Sequence, residues 1–303
     1  ESDEVLKWSD SQDTITRTYL HNLKNHEKLK TSFEKLMSND SVGAPTFFGN
    51  RMFWSERKAG QNHSILFWKD YPTSNRHPIQ KKLNPNDGSG KILLNPNSWS
   101  EDGTLSLDWF SISPDGSHIA YGISENGDER STTHVMRIGD GYKYEDQIPY
   151  TRWASPAWLP DNSGFFYGRW PVPGSVPDGD EEYFRKIYFH KIGDAWEDDR
   201  YVFGEGRKKE EWPVALVSDD AEWLIINAWN GWDTSQVFVM DLKESGEPIP
   251  ITEMNHKTYY GQMLFKDDVF YTSETSEENP NGMLWGIKLD NTKLKKDHWE
   301  LVV

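Results

Sequence analysis

A strand–turn–strand unit recurs along this sequence and constrains its fold more than any other feature. Each copy places a polar turn, rich in Asp, Gly, Ser and Asn, between two short apolar runs of the kind that form strands. The copies occupy residues 48–54, 112–121, 158–167, 217–226 and, more weakly, 265–271. The aspartates that mark the later turns are Asp115, Asp161, Asp219 and Asp267. We interpret these aspartates as turn formers, because a catalytic pair would not recur in every unit.

Each unit also contains a later strand that ends in a polar turn. These strands occupy residues 64–70, 133–140, 186–194, 236–241 and 283–290. Five units with several strands each, at a period of about 40–60 residues, are typical of a β-propeller, whose small sheets pack face to face. The 15 Trp, 13 Tyr and 14 Phe residues suit such contacts between sheets. We therefore predict an all-β fold, a β-propeller with about five blades, over a sandwich, whose strands rarely repeat a motif at this period.

The chain begins with a different pattern. Apolar residues recur there at helical spacing in two stretches. They are Val5, Trp8, Ile15, Tyr19 and Leu23 in the first stretch, and Leu29, Phe33, Leu36 and Met37 in the second. Asn25 is suited to cap the second helix. We predict an N-terminal α-helical arm over residues 1–44, packed on the main body, and a propeller domain over residues 45–303.

Composition excludes several classes of function. Asp and Glu number 49 against 33 Lys and Arg, a formal net charge of −16, which argues against nucleic acid or an anionic membrane as a partner. Cysteine is absent, so disulfide scaffolds, thiolate metal sites and cysteine nucleophiles are excluded. No apolar run is long enough for a transmembrane helix, and the polar N-terminus has no signal-peptide pattern. Because the first residue is Glu, we expect a trimmed chain.

The sequence contains no motif for catalysis or cofactor binding. The nucleophile elbow Gly-x-Ser-x-Gly does not occur, and the 9 histidines show neither helical zinc spacing nor a His-Glu-x-x-His motif. The glycine-rich stretch 87–92 lacks the Ser or Thr that follows the lysine of a phosphate loop. We therefore predict no catalytic residue, no metal site and no cofactor. A five-bladed glycosidase remains an alternative, and it would need a unique carboxylate pair at the centre of the propeller.

A set of short motifs runs through the chain in a fixed order. They are Ser11-Gln12, Gln61-Asn62, Leu93-Leu94-Asn95-Pro96-Asn97, Ser100-Glu101-Asp102-Gly103-Thr104, Ser113-Pro114-Asp115-Gly116, Ala120-Tyr121-Gly122, Gly164-Phe165-Phe166-Tyr167, Lys186-Ile187-Tyr188-Phe189-His190, Val217-Ser218-Asp219-Asp220 and Trp299-Glu300-Leu301-Val302-Val303. Single pieces are weak signals, because many propellers carry them. The ordered set covers essentially the whole chain, and it resembles the N-terminal and propeller region of the prolyl oligopeptidases, serine peptidases that cleave short peptides after proline.

The resemblance implies a seven-bladed propeller that caps an α/β-hydrolase domain and admits short peptides while excluding folded proteins. The Ser, Asp and His of the family's triad lie in the hydrolase domain. This chain stops after about the fifth blade and lacks that domain, so we expect it to be inactive alone. The implied partners are a short peptide substrate and the missing domain, and the implied location is cytoplasmic or periplasmic. A related family cleaves after basic residues, but the Asn-Pro-Asn segment and the Gln-Asn pair fit the prolyl branch better.

Three residues align with positions that face the substrate in the family: Trp153, Pro213 and Trp232. Their types differ from those commonest in the family. The stretch 171–183 aligns with a mobile loop at the domain interface, and its Gly, Pro and acidic content suits a flexible segment. An alternative from another class is a stand-alone propeller that binds a partner without catalysis. A reading frame that continues past Val303 without a serine elbow would contradict the peptidase interpretation.

Overall fold

A computed structural model describes residues 2–71, 88–244, 246–266, 268–290 and 294–303. Two helices, α1 (Asp3–His21) and α2 (His26–Met37), precede strands that form five antiparallel sheets. We call these sheets blades 1 to 5, in chain order. Within the described ranges, no helix is both long and apolar enough to cross a membrane.

The blades are consecutive in sequence. Blade 1 contains β1 (Ser41–Val42), β2 (Thr46–Phe48), β3 (Arg51–Arg57), β4 (Ile65–Asp70) and β5 (Lys91–Leu94). Blade 2 contains β6 (Leu105–Ile112), β7 (His118–Glu125), β8 (Thr132–Arg137) and β9 (Tyr142–Ile148). Blade 3 contains β10 (Ala157–Trp158), β11 (Gly164–Arg169), β12 (Lys186–Lys191) and β13 (Arg200–Phe203). Blade 4 contains β14 (Glu211–Val217), β15 (Trp223–Asn230), β16 (Ser235–Asp241) and β17 (Ile249–Pro250). Blade 5 contains β18 (Tyr259–Lys266), β19 (Val269–Thr275), β20 (Met283–Lys288) and β21 (Glu300–Leu301).

The five predicted units are therefore confirmed as five sheets, and the hydrophobic core lies between them. Successive side chains on a strand point to opposite faces of its sheet. On β11, Phe165 packs into a cluster shared with blade 2, while Phe166 packs into one shared with blade 4. On β15, Ile226 faces blade 3 and Ile225 faces blade 5. Because both faces of these central strands are buried, their sequences are continuous apolar runs rather than alternating ones.

A repeated short turn closes one edge of the blades, which we call the turn edge (113–117, 159–163 and 218–222). The Oδ1 atom of Asp115 accepts hydrogen bonds from the Oγ of Ser113 and the N–H of Ser117, both over 2.8 Å. Asp161 accepts the equivalent bond from the N–H of Ser163 over 2.9 Å. Burial opposes ionisation of Asp115, but these hydrogen bonds outweigh it and lower its pKa. The structural role predicted for these two aspartates is confirmed.

The turn of blade 4 corrects one prediction. Asp220, not Asp219, is the equivalent of Asp115, because its Oδ1 accepts from the Oγ of Ser218 over 2.5 Å and from the N–H of Glu222 over 2.9 Å. Because two aspartates are adjacent, the sequence does not show which of them forms the turn. The hydrogen bond from the N–H two residues further along, that of Glu222, identifies Asp220. The fourth predicted turn residue, Asp267, lies outside the described residues.

The helical arm forms as predicted, with a break between the two helices. Asn25 occupies the N-cap position of α2, although its side chain makes no capping hydrogen bond. The prediction that the arm packs on the main body is wrong for the described residues, because neither helix contains a buried side chain. An apolar stripe indicates that a helix has a face to bury but does not specify the surface that covers it. The first blade begins at Ser41, where β1 pairs with β3.

Candidate functional site

The connections at the opposite edge of the blades differ from one another in length. We call this the loop edge (126–131, 149–156, 170–185, 204–210 and 231–234). Strand connections in an antiparallel sheet alternate between its two ends, which places these five segments together. Several contacts join neighbouring segments. For example, the N–H of Phe184 donates to the carbonyl of Lys209 over 2.9 Å, Lys209 pairs with Asp180 over 2.7 Å, and Arg152 pairs with Glu182 over 3.4 Å.

Two of the three residues predicted to face substrate are exposed at this edge. Trp153 lies in the connection between blades 2 and 3 and is 54% exposed. Trp232 lies at the tip of the β15–β16 hairpin and is 100% exposed. A large aromatic side chain that is left in water offers rigid apolar area to a ligand or a partner.

Pro213, the third predicted residue, is not exposed. It is buried near the start of β14, opposite Ala228 on β15. Its neighbour Trp212 contacts Trp170 edge to face, with 5.1 Å between ring centres. Among the described residues, no hydrogen bond or ring contact joins Trp232 to Trp153 or Pro213. The structure therefore brings the three residues to one edge of the blades but not into one cluster.

The backbone around Trp153 is unusual. Tyr150, Trp153 and Ser155 have φ angles of 61°, 54° and 50°, in the left-handed region that residues other than glycine rarely adopt. Such conformations cost about 1–3 kcal/mol each and persist where the surroundings enforce them. This segment therefore has a defined shape that other parts of the structure must hold in place.

Arg185 holds this segment from beneath. It is 2% exposed, and its Nη1 and Nη2 donate to the carbonyl oxygens of Arg152 and Trp153 over 2.8 and 2.5 Å. Its guanidinium carbon lies 4.5 Å from the centre of the Trp212 ring. Burial lowers the pKa of Arg185 to about 9, so the group is still a cation at neutral pH. In the described part of the chain no carboxylate pairs with it, and two carbonyl dipoles and an aromatic face stabilise the charge instead.

The neighbouring residues leave space for this guanidinium. A Cβ atom on Gly168 of β11 would lie 2.2 Å from Nη2 of Arg185, so any side chain there would displace the guanidinium. Trp170 also faces the cation, at 5.7 Å from its ring centre. Arg185 thus links the backbone of Trp153 to the Trp212 ring, next to Pro213. Sequence reasoning missed Arg185, because an arginine just before a strand carries no local signal of burial.

A cavity of about 510 Å³ lies between blade 2 and the loop 170–185, and Arg152, which precedes Trp153 in the chain, lines it. Its walls combine aromatic, proline and charged side chains: Tyr150, Trp170, Pro171, Pro173, Arg152 and Glu182. Arg152 forms ion pairs with both Glu129 and Glu182, so its charge is already compensated. The cavity therefore offers mainly apolar and proline surfaces.

The buried carboxylates of the described residues serve the packing of the blades. Asp146 pairs with His190, Glu211 with Arg207 and Glu274 with Lys296. None of these three is free to act as the acid or base that hydrolysis of a glycoside needs. The arrangement gives no support to the glycosidase alternative.

His190 occupies the most closed of these sites, at the interface of blades 2 and 3. It is 0% exposed, and its Nε2 and Nδ1 lie 2.7 Å from Oδ1 of Asp146 and Oδ1 of Asp199. The hydroxyl of Tyr167 donates to the other oxygen of Asp199 over 2.6 Å. Burial lowers the pKa of His190, but the hydrogen bonds and charges of the two aspartates outweigh it and raise the pKa to about 9. An imidazolium between two carboxylates therefore joins the two blades.

Comparison with known proteins agrees with this architecture. The family model for the N-terminal β-propeller domain of prolyl oligopeptidase matches residues 1–303. A prolyl endopeptidase from Elizabethkingia meningoseptica is 26% identical over 82% of this chain and 33% of its own length. Prolyl oligopeptidase A from Amanita bisporigera is 28% identical over 81% of this chain and 34% of its own length. The chain thus spans about a third of the length of these curated relatives.

Solved structures show the same fold. A prolyl endopeptidase structure superposes with a TM-score of 0.86 and 24% identity, covering 100% of this chain and 42% of its own. Prolyl oligopeptidase B from Galerina marginata, bound to a 35-residue substrate, gives a TM-score of 0.81 and 21% identity over 99% of this chain and 43% of its own. The catalytic domain of these proteins has no counterpart in this chain. The chain belongs to the prolyl oligopeptidase family, of which it contains the N-terminal helices and β-propeller strands.

Proposed function

We propose that this chain gates and filters substrates for a serine peptidase that hydrolyses short proline-containing peptides. Hydrolysis itself would be performed by an α/β-hydrolase domain of the same polypeptide, which this chain lacks. The observation that carries the proposal is the exposed Trp153, whose backbone Arg185 fixes at the loop edge. In this proposal the loop edge faces the hydrolase domain.

The chemistry of the loop edge suits a peptide that contains proline. Proline-rich peptides dock on aromatic surfaces, because the pyrrolidine ring packs against an indole or phenol face and the peptide is already extended. Trp153 and Trp232 supply two exposed indoles, and the cavity between blade 2 and the loop 170–185 adds Tyr150 and Trp170. A fixed backbone under Trp153 means that little conformational entropy is lost when the peptide binds.

The loop 171–183 is suited to act as a gate. Among the described residues, three ion pairs tie it to its neighbours: Glu182 pairs with Arg130 and Arg152, and Asp180 pairs with Lys209. Ion pairs on a protein surface contribute only about 0–1 kcal/mol each, so the loop is held far more weakly than the blades. In the proposal, breaking these pairs opens the loop and admits a short peptide.

The experiment uses the protein that joins this chain to its hydrolase domain, with a short peptide that has one proline before the cleaved bond. We expect Trp153→Ala to raise KM by about tenfold with little change in kcat, the loss of about 1.4 kcal/mol that one aromatic contact supplies. Trp232→Ala should act in the same direction. Tyr142→Ala is the matched control, because Tyr142 is an exposed aromatic residue where β9 begins, at the opposite edge.

Two results would contradict the proposal. Unchanged KM in both tryptophan variants would show that the loop edge does not contact the substrate. Absence of peptide hydrolysis by the joined protein would favour a stand-alone propeller that binds a partner without catalysis. The 303-residue chain by itself should hydrolyse nothing in either case, so its inactivity does not separate the two functions.

A further inference from the structure

The corner between α1 and α2 brings two histidines and a glutamate together. His21 is the last residue of α1, His26 is the first residue of α2, and Glu27 follows it. The imidazole ring centres of His21 and His26 lie 4.6 Å apart. One ligand atom from each of the three residues lies within 4.8 Å of the other two. Within the described ranges, no other three side chains from His, Asp and Glu converge in this way.

Two of the three distances between ligand atoms are close to those that one metal ion requires. Nδ1 of His26 lies 2.9 Å from Oε1 of Glu27, and Nδ1 of His21 lies 3.9 Å from the same oxygen. Zinc binds imidazole nitrogen and carboxylate oxygen at about 2.0–2.2 Å in tetrahedral geometry, which places two ligand atoms roughly 3.3 Å apart. Both separations thus need to change by only about half an ångström, and rotation of these exposed side chains can supply it.

We propose that His21, His26 and Glu27 form a binding site for Zn²⁺ or a similar divalent transition metal. Two imidazoles and one carboxylate are the donor set that such ions prefer, and three protein ligands leave a fourth position for water or another ligand. His21 lies in the last turn of α1, where the helix dipole favours a cation.

The site departs from the expectation drawn from the sequence. Two histidines five positions apart are not helical zinc ligands, because the fifth residue lies on another face of a continuous helix. The break at residues 22–25 interrupts the helix and leaves both imidazoles close to Glu27. A bound ion would fix the angle between two helices that bury no side chain in the described structure.

Titration calorimetry of the untagged 303-residue chain with ZnCl₂ tests the site. We expect one ion per chain in wild type. Mutation of a residue that only hydrogen-bonds to a metal ligand typically lowers metal affinity about 10- to 100-fold. Loss of a ligand itself should have at least this effect, so we expect His21→Ala and His26→Ala each to weaken zinc binding at least tenfold. Glu27→Gln should weaken it in the same direction while preserving the shape of the side chain. His298→Ala removes an exposed histidine of blade 5 and should leave the affinity unchanged.

Cobalt absorption provides a second readout. Co²⁺ should give a visible spectrum in wild type that disappears in a His21→Asn, His26→Asn double variant. Because α1 and α2 contain no core residue, these variants should keep the far-ultraviolet circular dichroism of the blades, which separates loss of metal from unfolding. The proposal fails if Zn²⁺ gives no saturable heat, or if the double variant binds it as tightly as wild type.

Discussion

The turn edge and the loop edge both consist of connections between antiparallel strands, but these connections are stabilised in different ways. At the turn edge, one short aspartate turn repeats, and hydrogen bonds join neighbouring blades: Asn162 donates to Oδ2 of Asp115 over 2.8 Å, and Arg51 donates to the carbonyl of Gly116 over 2.7 Å. At the loop edge, the connections differ in length, and one buried cation, Arg185, holds the segment 149–156.

The two edges also place left-handed backbone on different residues. The turn edge uses Gly116, Asn162 and Ala221, which are small or tolerate this region. The loop edge has left-handed glycines such as Gly127 as well, but it also places bulky Tyr150 and Trp153 in this region, where their conformation is strained. The comparison suggests a division of roles, in which many local hydrogen bonds fix the turn edge and a few long-range contacts hold the loop edge in the shape required for binding.

The largest effect should come from His190, whose site joins blades 2 and 3 beside the connection 192–199. His190→Ala leaves Asp146 and Asp199 buried without their partner, and breaking a buried pair in this way costs about 3–5 kcal/mol. We expect the free energy of unfolding, measured in urea, to fall by that amount. A loss below about 1 kcal/mol would contradict an imidazolium at this interface.

The same site predicts a pH dependence. The pKa of His190 is about 9 in the folded protein against about 6.5 unfolded. Because the pKa of His190 is higher in the folded state, its protonation adds about 3 kcal/mol to the free energy of unfolding. This contribution is fully present below about pH 6.5 and is lost as the pH rises to about 9. Asp146, whose pKa is lowered, loses its contribution only at acid pH, below about 4. Urea unfolding between pH 6 and 10 should therefore show declining stability in wild type, with a smaller decline in His190→Ala.

Arg185→Met should have the next largest effect, and it tests the loop edge. The substitution keeps an apolar stem but leaves the carbonyls of Arg152 and Trp153 without donors, at about 1–3 kcal/mol for each unsatisfied group. We expect a loss of about 2–4 kcal/mol and faster proteolysis within 149–156. Arg185→Lys keeps the charge without the planar fork, so it should recover only part of the loss. Unchanged protease resistance in Arg185→Met would mean that other contacts hold this segment.

A matched pair of glycines compares the two edges directly. Gly116 at the turn edge has φ +74°, and a Cβ there would lie 2.5 Å from the carbonyl oxygen of Phe48. Gly127 at the loop edge has φ +72° and no atom within 4 Å of such a Cβ. Both alanine variants carry the left-handed penalty of about 1–2 kcal/mol, but only Gly116→Ala adds the clash. Thermal unfolding should therefore show a lower Tm for Gly116→Ala than for Gly127→Ala. Equal Tm values would mean that the backbone at Phe48 shifts at little cost to accommodate the added methyl group.

The smallest effect should come from Asp115→Ala. This variant removes the bonds from Ser113, Ser117 and Asn162, but water can replace most of them at an exposed turn. We expect a loss of about 1–2 kcal/mol in urea unfolding. Asp161→Ala loses the turn bonds without the bond between blades, so it should cost less. A larger loss in Asp161→Ala would contradict the view that Asn162 joins the two blades through Asp115.

Much of the fold follows from sequence because its determinants are local. A turn such as 113–117 needs only an aspartate and an N–H two residues further on, and strands such as β11 and β15 need only a continuous apolar run. These signals give the five blades and the helical arm. These local signals gave the wrong turn aspartate in blade 4, because Asp219 and Asp220 are adjacent and both fit the pattern. Only the hydrogen bonds of the structure distinguish the two residues.

The candidate site was predicted only in part. Resemblance to the family drew attention to Trp153, Pro213 and Trp232, and the structure exposes the two tryptophans while burying the proline. Arg185 was not predicted, because its partners Arg152 and Trp153 lie more than thirty residues earlier in the chain. Arg185 is buried because of the way blade 3, which contains β12, packs against blade 4, which contributes the Trp212 ring.

By itself the sequence determined the strand repeats, the turn chemistry, the apolar stripes of α1 and α2 and membership of the family. These features depend on neighbours within a few residues, where spacing and residue type are sufficient. Tertiary structure alone decided that Asp146 forms a hydrogen bond with His190, 44 residues later in the chain, and that Arg185 lies beneath Trp153. It also decided that the apolar stripes of α1 and α2 are not buried against the described blades. Each of these depends on contacts between segments distant in the chain, which the packing of complete sheets brings together.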